Sequence, residues 1–505
     1  MRIVRAGALG SLRLARRLGT YRVVATVVAV PLLTQNWNRR WAGDIYLHAA
    51  AVAEVARHPL SPGNPLVAGD AADPEYSPYI VLLGAFTRVT GLDVFTTLRL
   101  AGVLALITLL VVVPWALDRL VDDRSAAPWF LVFTLVLWGW EPWRWSGYLN
   151  LNSIGFILPY PSVVGASLLL VGLALTRRLL KRPTPARGAV LGLLSGCLLL
   201  VHPFSSISMA VGAAALLLGG RRFGRSQARA LAVAVAVAAT VALSWPYFPV
   251  LKLLSEGSIY DPVHETLYDG IPVRTLLALP GVVTLWAAWR RDHLDPLALA
   301  FMGAVGIYAV GGLTGRESLA RVLPLAMLAA HLSLAVATSR LVKDRSRRAR
   351  SPLLAGAFGL LLVGVLGCVE ALPNMVPPPL LPASLRSDPR AQSEVERMSV
   401  LASLEPGRTI ATDIGLVNRA APAFELKTVS AGFIEPFLED RIQREQANTA
   451  LFAAATPSGL RRSLLRRYDV SYVITTPGNP VLDEMAGRRF DLGGFLVVEL
   501  RRPTR

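Results

Sequence analysis

YIVLLGAFTRVTGLDVF, residues 79 to 95, decides how this chain is threaded. It is apolar enough to resemble a membrane crossing, yet it carries Arg88 and follows Pro78. Counted as a crossing, it would reverse the side of every later loop. Read as a helix lying in or dipping into a membrane interface, it leaves residues 38 to 96 as one long loop with short amphipathic helices, AAVAEVARH at 50 to 58 among them. The distribution of charge chooses between these readings.

The chain has 505 residues, 53% of them hydrophobic and 17% charged, with a mean hydropathy of +0.47. Those proportions describe a polytopic membrane protein. At about 20 apolar residues per crossing, they predict eleven spans, near 21–37, 97–118, 127–143, 160–176, 187–203, 205–220, 228–251, 273–290, 296–313, 319–340 and 352–372. The formal charge of +18 would suit a nucleic-acid partner, but the arginines lie in short segments between apolar runs. With the N-terminus inside and residues 79–95 not crossing, three basic groups fall on the cytoplasmic side. These are Arg177, Arg178, Lys181, Arg182 and Arg187; Arg221, Arg222, Arg225 and Arg229; and Arg340, Lys343, Arg345, Arg347, Arg348 and Arg350. That is the positive-inside pattern, so the charge reports orientation and not nucleic acid. A basic start (Arg13, Arg16, Arg17) leads into the first span without a clear cleavage site, as a retained signal anchor in a plasma membrane does. Cys197 and Cys368 fall inside apolar runs, which supports neither a disulfide framework nor a cysteine metal site.

Ionisable residues near the spans gather at the predicted outer ends. Asp44, Glu141, Arg144, His202, Lys252, Arg316, Glu317, Arg321 and Glu370 could therefore converge on an outward-facing cavity. His331 lies well inside the tenth span, where a hydrogen bond between helices accounts for it. Asp44 opens the long loop; it could equally cap the helix starting near Ile45. Glu141 sits in LWGWEPWRWSGYLN, residues 137 to 150, among Trp138, Trp140, Trp143 and Trp145. Interleaved tryptophans suit a headgroup belt, and their faces also stack on sugars. An arginine at an outer helix start can snorkel, or it can fork onto phosphate oxygens.

Beyond residue 372 the composition changes. RTIATD, LKTVSAG, LRRSLLRRYDVSYVITTP and FLVVEL alternate with the amphipathic stretch EPFLEDRIQREQANTALF, an α/β signature. The predicted division is a membrane domain over 1–372 and an extracytoplasmic α/β domain over 373–505.

EYSPYIVLLGAFTRVTGLDVFTTLRLAGVLALITLL, from Glu75, resembles the region of GT-C fold glycosyltransferases where a proline-led interfacial helix, a glycine and an arginine precede the second span. Pro78, Gly91 and Arg99 are the matching residues. GRESLARVLPLAML, residues 315 to 328, is similar to the late outer loop of that superfamily, with Arg316 and Arg321 as its basic positions and Val322 where an aromatic is usual. The relatives in question are protein O-mannosyltransferases, lipid A aminoarabinose transferases and actinobacterial arabinofuranosyltransferase-like proteins; LLRRYDVSYVI resembles an element of the α/β domain that such actinobacterial enzymes carry.

The resemblance implies transfer of a sugar from a polyprenyl-phosphate donor to a glycan, lipid or protein. It implies Asp44 as general base, with Glu141 as a second acid that positions the acceptor or a divalent ion. Arg316, Arg321 and Arg99 would hold the donor phosphate. His48, His58, Trp140, Arg144 and His202 would line the cavity. A magnesium, manganese or calcium ion, if used, would take oxygen ligands from Asp44 and Glu141. The same composition also fits a secondary transporter or a non-catalytic assembly protein. A transporter would place its ionisable groups at the bilayer midplane instead of the rim.

Overall fold

The computed structural model describes residues 2–41, 43–220, 223–344, 352–368, 371–380, 394–479 and 485–500. Arg221, Arg222, Arg345, Arg347, Arg348, Arg350 and Glu370 lie outside them. The chain forms two compact units: residues 1–38, 102–244 and 260–386 make one, and residues 39–101, 245–259 and 387–505 make the other.

Most of the chain is helical. Among the described residues, six helical segments are long and apolar enough to cross a membrane: Val94–Leu120, Pro161–Lys181, Arg225–Leu243, Ile271–Arg291, Pro296–Thr314 and Glu317–Lys343. Pro78–Thr90, Arg124–Val136, Pro185–Val201 and Pro203–Gly219 are apolar but shorter. The first helix is Arg2–Trp37, and Pro352–Gly367 is a further apolar helix. Proline at the first turn starts many of them, where its missing N–H costs nothing.

In the first unit, close helix contacts follow from glycine spacing. Gly188, Gly192 and Gly196 recur every four residues on Pro185–Val201, and a Cβ on the first two would overlap the carbonyls of Ala230 and Ala234. Glycine at these positions lets Arg225–Leu243 pack backbone to backbone, as small residues do between helices in lipid.

The expected span over 127–143 is shorter than predicted. Its helix ends at Val136. The chain then turns aside to bond another backbone, with Trp140 N–H donating to Val273 O at 2.8 Å and Ala278 N–H to Trp138 O at 3.2 Å. Gly139 makes this approach possible, because any Cβ there would overlap the backbone of Val273 and Arg274. His331 completes the helix end through Nε2, 2.7 Å from Leu137 O, with its ring fully buried 6.1 Å from Trp138. This matches its expected role as a polar tie between helices.

The second unit joins the long loop to the C-terminal segment. Residues 79–95 do not form one helix: Pro78–Thr90 ends at Gly91, whose φ of +67° is left-handed, and Val94 starts the next. Thirteen residues span about 20 Å at 1.5 Å each, too short for a hydrocarbon core. Pro78–Thr90 packs instead on Ile45–Arg57, where Gly84 leaves room for Val55 and Arg88 Nη1 donates to Ala56 O at 2.9 Å.

Among its described residues the C-terminal segment holds five strands: β1 (Thr409–Thr412), β2 (Lys427–Thr428), β3 (Val470–Thr475), β4 (Gly487–Leu492) and β5 (Phe495–Leu500). Their order is β2-β1-β3-β5-β4, parallel across β2, β1 and β3 and antiparallel beyond. Helices Arg441–Phe452 and Ser458–Arg467 supply Ala447, Leu451 and Leu464 to a core with Ala411, Val473 and Val498. The edge at β2 is covered by the long loop: Val67 bridges Thr428 in parallel, and Thr428 N–H donates to Leu66 O at 2.9 Å. A paired edge offers no template for another chain.

Candidate functional site

The candidate residues divide between the two units. Asp44, His48, His58 and Arg99 belong to the loop unit; Trp140, Glu141, Arg144, His202, Arg316 and Arg321 belong to the helical unit.

In the loop unit, the main chain of Asp44 opens helix Ile45–Arg57, its carbonyl accepting from Leu47 N–H at 3.1 Å and His48 N–H at 3.2 Å. Its side chain makes no capping bond and is exposed. The capping role open to Asp44 in the sequence is therefore filled by its backbone alone. One turn on, His48 is buried with Nδ1 2.7 Å from Glu75 Oε2. Burial would lower its pKa, but the Glu75 carboxylate, the bond to it, and then Asp44 and Asp73 outweigh this and hold it above the ordinary histidine value. Asp44 thus lies within electrostatic reach of the His48 imidazole.

His58 closes the same helix with Nδ1 2.9 Å from Glu54 Oε1. The proline tract after it is held by Tyr247, whose hydroxyl donates to Pro59 O at 2.7 Å, and by Trp245 Nε1, which donates to Tyr76 O at 2.9 Å. Arg99 is half-buried near the start of Val94–Leu120, within electrostatic reach of Arg39, Asp93 and Glu396.

In the helical unit, Arg321 is the centre of a cluster. It lies near the end of the short turn Glu317–Val322 before helix Leu323–Lys343. Nη2 donates to Ser146 O at 2.8 Å, Nη1 lies 3.2 Å from His264 Nε2, and the guanidinium covers the Phe204 ring at 4.5 Å. His264 Nδ1 is 2.6 Å from Tyr260 O, so Nδ1 carries the proton and Nε2 accepts from Arg321. Burial first, then the Arg321 charge, push His264 down to about 4. It stays neutral.

His202 has the opposite tautomer. As N-cap of helix Pro203–Gly219, its Nδ1 accepts from Ser205 N–H at 3.2 Å, with Ser205 Oγ at 2.7 Å. A neutral ring that accepts at Nδ1 carries its proton on Nε2. That Nε2–H faces Arg321 Nη2 at 3.3 Å. Two donors converging at a helix N-terminus favour an anionic oxygen placed between them. Gly147 supplies the left-handed φ of +83° in the neighbouring turn, beside both His202 and Arg321.

The other expected residues take lesser places. Arg316 is largely exposed, with Nη1 3.9 Å from Asp261 Oδ2. Glu141 is exposed, adopts φ +59°, and has its carbonyl bound by Arg274 Nη1 at 3.0 Å. Arg144 lies over Phe156 at 5.5 Å, and Trp140 is about half exposed. Among the described residues, no group of three or more His, Cys, Asp or Glu side chains is gathered to hold a metal ion. His264 was not singled out in the sequence; its signal there was an uncommon residue, one of six histidines, in the polar loop SIYDPVHETLYDG.

The whole fold has known counterparts. ArnT from Cupriavidus metallidurans bound to undecaprenyl phosphate matches with a TM-score of 0.57 at 14% identity, over 95% of this chain and 97% of that one. The chain has the GT-C fold. The apo state of the same ArnT gives a TM-score of 0.53 at 14% identity, again over 95% and 97% of the two chains. An Archaeoglobus fulgidus oligosaccharyltransferase in complex with Zn and sulfate is more distant, with a TM-score of 0.46 at 12% identity over 90% of this chain and 68% of that chain. No protein-family model matches the sequence, and no curated protein sequence matches it. The GT-C fold here is a helical membrane protein with a small C-terminal sheet.

Proposed function

We propose that this chain is a membrane glycosyltransferase that moves a sugar from a polyprenyl-phosphate donor to a hydroxyl of an extracytoplasmic glycan, lipid or protein. The observation that carries the reading is the pair of donors at Arg321 and His202, set at a helix N-terminus and suited to a phosphate oxygen. The ArnT structure of the same fold binds undecaprenyl phosphate, which supports a lipid phosphate as the ligand.

In this mechanism the acceptor hydroxyl oxygen forms a bond to the anomeric carbon. Its proton passes to Asp44, whose side chain is not committed to the helix cap. The bond from the anomeric carbon to the phosphate oxygen breaks, and its electron pair leaves with the phosphate. Arg321 and His202 Nε2–H stabilise that charge as it develops. His264 and Ser146 O hold the guanidinium in place, and the neutrality of His264 keeps a second positive charge away from it. Arg316 and Arg99 are auxiliary cations for the lipid phosphate, while Glu141, Trp140, Arg144, His48 and His58 contact the acceptor or line its path. The C-terminal α/β domain lies outside the membrane and contributes to acceptor choice.

The test is a reconstituted transfer assay with radiolabelled polyprenyl-phosphate sugars, comparing the wild type with Asp44→Asn. Full transfer by Asp44→Asn would remove Asp44 as the base. Binding of donor without transfer by the wild type would favour an assembly role.

A further inference from the structure

The carboxyls of Asp73 and Glu435 meet inside the loop unit, and both residues are almost wholly buried. Asp73 comes from the long loop and Glu435 from the segment after β2. Asp73 Oδ1 accepts from Glu75 N–H at 2.7 Å, and Glu435 Oε2 accepts from Asn64 Nδ2 at 2.7 Å. Asp73 Oδ2 is buried without a donor. Two carboxylates have none to offer each other; one proton between them makes the missing hydrogen bond.

The cations around this pair are already engaged. Lys427 Nζ donates to Glu54 Oε2 at 2.9 Å, Asn64 O at 2.6 Å and Pro65 O at 3.4 Å, which uses its three hydrogens. Arg57 Nη2 holds Glu54 at 2.9 Å, His58 holds the other Glu54 oxygen, and His48 holds Glu75. Glu75 adds a further negative charge facing both Asp73 and Glu435. Tyr76, next in the loop, donates its hydroxyl to Gly63 O at 2.5 Å and so is committed elsewhere. Four carboxyls therefore share a pocket with two permanent cations.

We propose that a single proton shared by Asp73 and Glu435 latches the long loop onto the C-terminal segment, so that the loop is docked at acidic to neutral pH and released when alkali removes the proton. Burial and mutual repulsion raise both carboxyls, Asp73 to about 7, so the folded chain retains a proton that the unfolded chain has lost. The sign follows. The contribution of this proton to docking is complete below the unfolded carboxyl value near 4 and is lost as pH rises through 7. The latch does not depend on the transferase reading, and its test does not use transfer.

Hydrogen exchange of the full chain in detergent, corrected for the intrinsic rate at each pH, reads the latch directly. Peptides over residues 60–76 and 427–438 are expected to lose protection at least tenfold between pH 6 and pH 9 in the wild type. Asp73→Asn and Glu435→Gln each supply a permanent donor in place of the proton, and each is expected to keep its protection across that range. Constant protection in the wild type, or an equal loss in either variant, overturns the proposal.

Discussion

Arg321 Nη2 and His202 Nε2 stand 3.3 Å apart; a guanidinium nitrogen can only donate, and acceptance at His202 Nδ1 leaves the ring proton on Nε2. Like-polarity groups are held this close only where the scaffold fixes them, which helix Pro203–Gly219 does for His202 and Ser146 with His264 does for Arg321. The arrangement is preorganised for negative charge. Arg321→Gln keeps a donor but removes the charge, and it is expected to lower the transfer rate by about a hundredfold to a thousandfold. His202→Ala removes the second donor and the cap together, with a smaller loss expected. Steady-state rates with a radiolabelled lipid donor check both; a rate unchanged in Arg321→Gln would remove this cluster from the reaction.

Asp44→Asn separates chemistry from folding. A general base contributes roughly 10² to 10⁴ in rate, so kcat is expected to fall by that factor. The backbone of Asp44, not its side chain, starts helix Ile45–Arg57. The thermal unfolding midpoint of this variant is therefore expected to match the wild type.

Sequence periodicity and charge reached much of this architecture because both are local properties. Apolar length marked the helices, and β-branched runs marked β1, β2, β3 and β5, but GRRFDL in β4 has too few apolar residues to stand out. The break after Val136 was invisible because it depends on Val273 approaching Gly139 from over a hundred residues away. The site shows the same division. Arg321 and His202 could be named as polar groups near helix ends, yet their meeting with each other and with Ser146 joins residues that no spacing links. His264 joins them only in three dimensions.

Lys427 and Glu54 form a buried pair at 2.9 Å, with side-chain exposures of 14% and 5%. Lys427→Met leaves Glu54 with Arg57 and His58 but strips the carbonyls of Asn64 and Pro65 of their donor. Breaking one side of such a pair costs about 3–5 kcal/mol. The combined Glu54→Gln, Lys427→Met variant is expected to recover part of that loss, because no unpaired buried charge remains. Chemical denaturation of the four proteins in the cycle measures it.

His264 gives a pH signature. Its folded value near 4 lies below the ordinary value of about 6.5, so the unfolded chain takes up a proton first as the medium is acidified. Stability from this group is complete above pH 6.5 and is lost as pH falls towards 4. His264→Gln has no proton to gain, and its unfolding midpoint is expected to fall less steeply between pH 6.5 and 4. Parallel slopes for the two proteins would show that His264 is protonated in the folded chain.

Gly139→Ala tests the turn that ends helix Ala127–Val136. The added methyl would overlap the main chain of Val273 and Arg274, and backbone cannot move aside as a flexible side chain can. Overpacking of this kind costs about 1–3 kcal/mol. The strain falls where Trp140 N–H meets Val273 O and where Arg274 Nη1 reaches Glu141 O, so it reaches the tryptophan loop as well as the helix end. A lower unfolding midpoint is therefore expected, accompanied by a change in tryptophan fluorescence from Trp138, Trp140 and Trp143. Gly356, whose Cβ position meets nothing within 4 Å, is the control. Gly356→Ala is expected to leave both signals unchanged, and equal destabilisation by the two substitutions would mean that the close approach at Gly139 does not form.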